Sequence, residues 1–200
     1  MSLVKLDRDD QANYAQRALP GVLTDKNTCH SYLPLYDALL KPIKDTASNV
    51  LEIGVHKGGS IKLWYNYFTK AMIYGCDREG EHKYLRLSIK KTNNRVVLIL
   101  NENAYTKNFV KTKFENKKFD FLLDDGPHTL KSQIDFIKLY SPLLSENGIL
   151  IIEDVQDIKW LDELKNITPE HLKQYIKTYD LRKNKGRYDD IVFTIDKVIR

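Results

Sequence analysis

Along most of the chain, short apolar runs alternate with longer segments of helical periodicity. Asn49–Ile53 (NVLEI), Ala71–Cys76 (AMIYGC), Arg95–Leu100 (RVVLIL), Phe119–Leu123 (FDFLL) and Gly148–Ile152 (GILII) read as five strands. Ile61–Phe68, Glu81–Thr92, Thr106–Phe114 and Leu130–Leu144 read as the helices between them. Ser60 is the expected N-cap of the first, and the last is expected to end near Asn147-Gly148. Strands that are apolar throughout are buried on both faces, so these belong to a parallel sheet made of βαβ units. Right-handed crossovers then wind helices onto both faces. A short helix is expected after Thr168-Pro169. Tyr175–Arg182 and Asp190–Val198 follow as two strands joined by the polar turn Lys183–Gly186, a β-hairpin closing a mostly parallel sheet. Leu33–Ile43 reads as a helix broken near Pro42, and the segment before it has no clear pattern. Residues 1–200 are read as one domain, with 1–45 as an N-terminal extension expected to cover the active-site edge of the sheet.

Composition narrows the class further. Two hundred residues suit one core, and no stretch approaches the roughly 20 apolar residues that cross a bilayer. Residues 1–10 carry three acidic groups and no apolar run, so no signal peptide is read there. Cys29 and Cys76 lack metal-ligand spacing and read as reduced thiols of a cytoplasmic protein. The net charge is +5, and the excess is local: Lys83–Lys118 holds ten Lys/Arg against Glu102 and Glu115. That run is read as a solvated helical face or a phosphate-facing patch. No aromatic-basic RNA motif accompanies it, so nucleic acid is not the expected partner.

The candidate chemistry lies at the strand ends, where open α/β sheets bind ligands. The first strand runs into Glu52-Ile53-Gly54-Val55-His56-Lys57-Gly58-Gly59-Ser60. A nicotinamide fingerprint needs G-x-G-x-x-G against a pyrophosphate. Here the spacing differs and an acid precedes it. An acid would repel a diphosphate but tolerates the ammonium and sulfonium of S-adenosylmethionine (SAM). Asp77 ends the second strand, where a carboxylate accepts hydrogen bonds from ribose hydroxyls. Asp124-Asp125-Gly126-Pro127-His128 ends the fourth strand and Glu153-Asp154 the fifth. Neighbouring strands would bring these carboxylates together, and clustered carboxylates need a cation or protons. Hard oxygen ligands favour Mg²⁺. Histidine suits a general base at neutral pH, and His128 stands beside the acids.

These residues resemble a known group. Thr24-Asp25-Lys26, His30-Ser31-Tyr32-Leu33, Tyr36, Leu51–Val55 with Gly58-Gly59-Ser60, Tyr74–Asp77, Asp124–His128, Glu153-Asp154 and Arg187–Asp190 look like the macrocin/mycinamicin-type sugar O-methyltransferases, relatives of the cephalosporin hydroxylase-like family. The resemblance implies an α/β Rossmann-like class I methyltransferase fold, SAM as donor, Mg²⁺ as cofactor and a sugar hydroxyl as acceptor. Carried onto this chain it implies Asp125, Glu153 and Asp154 as metal ligands and His128 as base. Glu52, Gly54 and Asp77, with Gly58, Ser60, Arg78 and Asp124 around them, are the expected SAM site. Thr24–Lys26 and Tyr32 are expected to fold over the cofactor. Pro127 replaces the group's usual serine in D-D-G-S-H, which stiffens the turn and keeps the histidine spacing. The macrolide enzymes carry a further N-terminal domain for which this chain has no room, so their acceptor is not transferred. The expected partner is a saccharide of a surface polymer or its nucleotide-sugar precursor, with no membrane and a possible homo-oligomer. The competing readings are a catechol-type O-methyltransferase, an RNA methyltransferase and a non-catalytic saccharide-binding protein.

Overall fold

The computed structural model describes residues 1–15, 23–81, 85 and 94–199. In chain order its main elements are α1 (Leu3–Ala15), α2 (Tyr32–Leu40), β1 (Asn49–Ile53), α3 (Gly59–Tyr67), β2 (Met72–Asp77), β3 (Val96–Leu100), α4 (Lys107–Phe114), β4 (Phe119–Asp124), α5 (Leu130–Tyr140), β5 (Leu144–Ile152), α6 (Trp160–Ile167), α7 (Glu170–Lys173), β6 (Ile176–Asp180), α8 (Arg182–Lys185) and β7 (Ile191–Asp196). The helix expected at Glu81–Thr92 falls almost wholly outside the described residues.

The seven strands form one sheet in the order β3-β2-β1-β4-β5-β7-β6. The first five run parallel, and β7 is antiparallel to both β5 and β6. Strand order reverses between β1 and β4, the switch point where a ligand crevice forms. The expected closing hairpin is present, but its connection is the helical turn α8, ended by Gly186 at φ +71°.

Alternation along each strand divides the core in two. Val50, Ile73, Phe121, Leu123 and Ile151 face one layer, with Tyr36 of α2 and Trp64 of α3. Leu51, Ile53, Cys76, Leu122 and Ile152 face the other, with Phe109 of α4 and Phe136 and Tyr140 of α5. Each fully buried aliphatic or aromatic side chain contributes about 1.5–3 kcal/mol. The central strands are therefore the most firmly held part of the molecule.

Several boundaries differ from the sequence reading, each for a local reason. Gly58, left-handed at φ +79°, caps α3 without a side-chain bond, and Ser60 lies within the helix. Pro142 tightens the end of α5 into a 3₁₀ turn, and β5 starts at Leu144, so Asn147-Gly148 lies inside the strand. α1 was not expected. Its anchors are tertiary: Leu3 N–H donates to Asp37 at 3.0 Å, and Asp10 pairs with Lys62 at 2.6 Å. No helix among the described residues is long and apolar enough to cross a membrane.

The described part of the basic run is largely engaged by the protein itself. Arg95 donates to the carbonyls of Phe68 and Ala71 at 2.9 Å each and packs over Tyr65. Lys113 pairs with Glu102 at 2.7 Å, and Lys118 donates to the Pro142 carbonyl at 2.7 Å. These contacts favour the structural reading of that segment over a phosphate-facing patch.

Candidate active site

A cavity of about 1140 Å³ opens at the carboxyl ends of β1, β2 and β4. Ile53, Gly54 and His56 line one side, Asp77 to Glu81 a second, Asn103 to Tyr105 a third, and Asp125 to Thr129 with Ser132 the last. Asp25 reaches its rim from the N-terminal segment. Of the expected site residues, Gly54, Asp77, Arg78, Asp125 and His128 line the cavity. Four non-glycine residues at this edge have positive φ: His56 (45°), Asn101 (60°), His128 (52°) and Asp154 (54°). Backbone held in this sparsely populated region gathers at functional sites.

Asp77 organises the loop after β1. Its Oδ2 accepts from the amides of Val55 (2.8 Å) and His56 (2.9 Å), and its Oδ1 from that of Glu79 (2.9 Å). The carboxylate thus fixes the shape of the wall against which a ligand would lie. Asp124 is not in the wall. It is buried and accepts from Tyr105 Oη, a cavity residue that the sequence reading did not single out. Burial pushes Asp124 up to about 7, opposed by the Tyr105 hydrogen bond.

Glu52, Lys26, Tyr32, Thr24, Gly58 and Ser60, all expected at the cofactor, do not line the cavity. Glu52 is fully buried and accepts from Trp64 Nε1 at 3.0 Å. Strand alternation explains this: Glu52 shares the face of Val50, whereas Ile53 shares the cavity's face. Burial pushes Glu52 up to about 7, against the pull of Lys26. Thr24 Oγ1 accepts from the Lys26 amide at 3.3 Å and shapes the turn.

Lys26 fills the middle of the acidic cluster. Its Nζ donates to Asp125 Oδ2 at 2.6 Å and to Glu153 Oε1, and lies 3.6 Å from Glu52 Oε1. Burial alone would lower its proton affinity, but Asp125, Glu153 and Glu52 together hold it well above the ordinary value. Tyr36 Oη donates to the other oxygen of Glu153 at 2.6 Å. Both oxygens of Glu153 are therefore engaged by protein donors, and burial with Asp125 nearby raises its carboxyl.

Four rings run in a row above these acids. His30 stacks on Tyr32 at 4.9 Å between centroids, Tyr32 on Tyr36 at 5.7 Å, and Tyr36 approaches Trp64 at 6.4 Å. Each ring tip meets an acid: His30 Nδ1 lies 2.7 Å from Asp190 and 3.4 Å from Asp154, Tyr32 donates to Asp154, Tyr36 to Glu153 and Trp64 to Glu52. Tyr32, expected over the cofactor, orients the Asp154 carboxylate in the structure.

Among the described residues, one oxygen on each of two acids is left facing His128 and not a scaffolding donor. Asp125 Oδ1 lies 3.8 Å from His128 Nε2, and Asp154 Oδ2 lies 3.5 Å from His128 Nδ1. Asp125, His128 and Asp154 each offer one ligand atom within 4.8 Å of the others. Two converging carboxylate oxygens beside a cavity suit Mg²⁺, which takes one or two carboxylates and keeps other positions for water or substrate. The expected ligand set is thus brought together for Asp125 and Asp154, while Glu153 is turned to Lys26 and Tyr36. A second group, His30, Asp189 and Asp190, is buried, and there His30 and Ser31 already bond Asp190.

A methyltransferase domain family matches residues 51–155. The chain is 25% identical over 144 residues to an 8-demethyl-8-alpha-L-rhamnosyl tetracenomycin-C 2'-O-methyltransferase of Streptomyces olivaceus, covering 68% of this chain and 36% of that protein. It is 27% identical over 139 residues to a mycinamicin VI 2''-O-methyltransferase of Micromonospora griseorubida, covering 66% and 33%. The chain thus spans about a third of the length of these curated relatives. In fold it is similar to the solved MycE methyltransferase of the mycinamycin biosynthetic pathway, in complex with Mg and SAH, with a TM-score of 0.66 and 19% identity. That likeness covers 98% of this chain and 54% of the other.

Proposed function

The chain belongs to the methyltransferase domain family, and from that premise we propose that it is a SAM-dependent, Mg²⁺-assisted O-methyltransferase acting on a sugar hydroxyl. One observation carries this reading: His128 lies between Asp125 Oδ1 and Asp154 Oδ2 at the wall of the cavity. A proton acceptor and a hard-cation site at one point suit the activation of a hydroxyl, which is a poor nucleophile until its proton is drawn away.

SAM would occupy the end of the cavity formed by Gly54, Asp77 and Arg78, where the Asp77 carboxylate would meet its ribose hydroxyls. Asp125 and Asp154 would hold the Mg²⁺, which when bound polarises the acceptor's hydroxyls. SAM would supply a methyl group activated by its sulfonium, and transfer to the acceptor oxygen would exchange the carbon–sulfur bond for a carbon–oxygen bond, with the neutral thioether as product. His128 takes the hydroxyl proton. Lys26, Tyr32 and Tyr36 keep the acids in register and touch neither reactant.

Both curated relatives are named for methylation of a sugar position, which supports a saccharide acceptor here. Their aglycones do not carry over, because this chain spans so little of their length. A saccharide of a surface polymer, or its nucleotide-sugar precursor, is the acceptor class we infer. We place the reaction in the cytoplasm, where SAM is made. The test is acceptor profiling: SAM consumption with nucleotide-sugars, catechols and RNA, each with EDTA and with Mg²⁺. Methylation of sugars, restored by Mg²⁺, is expected. Turnover of catechols with refusal of sugars overturns the acceptor class, and RNA methylation that falls steeply with salt overturns it in the other direction.

A further inference from the structure

We propose that Lys26 is the resident counter-ion of the acidic cluster, a positioning residue that fixes Asp125 and Glu153 so that the folded site does not depend on a divalent ion. The proposed methyl transfer supplies only the use to which Asp125 is put. The claim itself concerns the protein before any ion binds.

Three carboxyl groups, from the ends of β1, β4 and β5, face one ammonium. Lys26 Nζ reaches Asp125 Oδ2 at 2.6 Å, Glu153 Oε1 within hydrogen-bond contact, and Glu52 Oε1 at 3.6 Å. The lysine side chain is only 1% exposed, so water does not share this task. Its backbone is fixed as well. The Tyr32 amide donates to the Lys26 carbonyl at 2.9 Å, tying the lysine to the start of α2. The Asp25 carbonyl accepts from the amides of Thr28, Cys29 and His30, which closes the turn around it. Carboxylates withdrawn from water at such short range repel one another unless a cation stands between them. Lys26 is that cation, carried by the chain.

The arrangement also sorts the oxygens. Lys26 takes Oδ2 of Asp125 and leaves Oδ1 toward His128. Lys26 and Tyr36 together occupy both oxygens of Glu153. The polarity of Asp125, with one oxygen toward the protein and one toward the reaction, is set by the lysine. Without the ammonium, Glu52, Asp125 and Glu153 would offer hard oxygen ligands around an empty point. That point should then recruit a divalent ion.

The experiment follows the melting of the full chain and its near-ultraviolet circular dichroism, to which the Tyr32–Tyr36–Trp64 row contributes, in EDTA and in Mg²⁺. The wild type is expected to keep its aromatic signal in EDTA and to gain only a small rise in Tm from Mg²⁺. Lys26→Gln and Lys26→Met are expected to melt lower in EDTA and to regain much of the loss in Mg²⁺. A lysine with a merely structural role would lower Tm without creating this ion dependence. Tyr36→Phe, which removes a Glu153 donor but leaves the ammonium, should show no enhanced ion response. The proposal is overturned if the wild type loses its aromatic signal in EDTA, which can be read even if the Lys26 variants do not fold. It is overturned equally if those variants respond to Mg²⁺ no more than the wild type does. Methyl transfer is not read in these measurements. A chain that passes them but methylates no sugar refutes the proposed acceptor and leaves the counter-ion standing.

Discussion

A Cβ placed on Gly54 would lie 1.8 Å from the backbone carbonyl oxygen of Asp125. Gly54 also has φ +100°, a region that L side chains rarely adopt. The end of β1 is thus pressed directly onto the backbone of a candidate metal ligand. Gly54→Ala is expected to destabilise the fold by roughly 2–4 kcal/mol, combining strain with overpacking. Urea denaturation measures this, and an unchanged midpoint would show that the loop relaxes freely.

His128→Ala is expected to lower kcat by about 10²–10⁴ while leaving SAM affinity and Mg²⁺ affinity nearly intact. Added imidazole should restore part of the rate, because the lost group is a proton acceptor at the open cavity wall. Loss of metal affinity in this variant, read by calorimetry, would make the histidine a ligand instead of a base.

Asp125→Asn and Asp154→Asn are expected to weaken Mg²⁺ binding and to lower the rate together. Chelation of the wild type should abolish turnover, and Mg²⁺ should restore it. Full turnover by protein shown to be metal-free would end the metal-assisted reading.

The strands were legible because both their faces are buried, which leaves unbroken apolar runs such as Phe121-Leu122-Leu123. The gathering of acids at one edge was legible because topology places the carboxyl ends of β1, β4 and β5 side by side. The direction of each side chain was not read, although strand alternation carried it. Glu52 and Glu153 follow the face of Val50 and Ile151, toward Trp64 and Tyr36, while Asp124 follows Leu122 toward Tyr105. α1 was illegible because a polar run, Asp7–Asn13, interrupts its apolar positions, and the contacts that hold it come from α2 and α3. Nothing local in Lys26 announces that it penetrates the cluster; that depends on how residues 23–31 cross the sheet edge.

Asp77→Ala is expected to do more than remove contacts to a ribose. Its carboxylate holds the amides of Val55, His56 and Glu79, so the loop after β1 should loosen as well. Weaker SAM binding, by about 1.5–3 kcal/mol for each charge-assisted hydrogen bond lost to the ligand, should be accompanied by a lower Tm. An unchanged Tm with weaker binding would confine Asp77 to ligand contact.

Asp7, buried on α1, bonds Gln11 and Asn27, and burial raises its carboxyl above the ordinary value. A raised acid favours the folded state fully below its unfolded pKa, and that contribution is lost as pH rises through the folded pKa. Asp7→Asn should therefore gain on the wild type in Tm as the buffer moves from acid to mildly alkaline. A constant difference across that range would show that burial of this charge has no cost.

The row His30–Tyr32–Tyr36–Trp64 gives the polar tips of core rings a task that their apolar bodies do not share. The strands pair through their backbones, whereas the orientation of Asp190, Asp154, Glu153 and Glu52 depends on four rings carried by α3, α2 and the turn before it. Loss of a ring tip in α2, as in Tyr32→Phe, would then leave a protein that looks whole to far-ultraviolet circular dichroism yet has lost the alignment of an acid. Damage of that kind appears as silent enzyme rather than as missing protein.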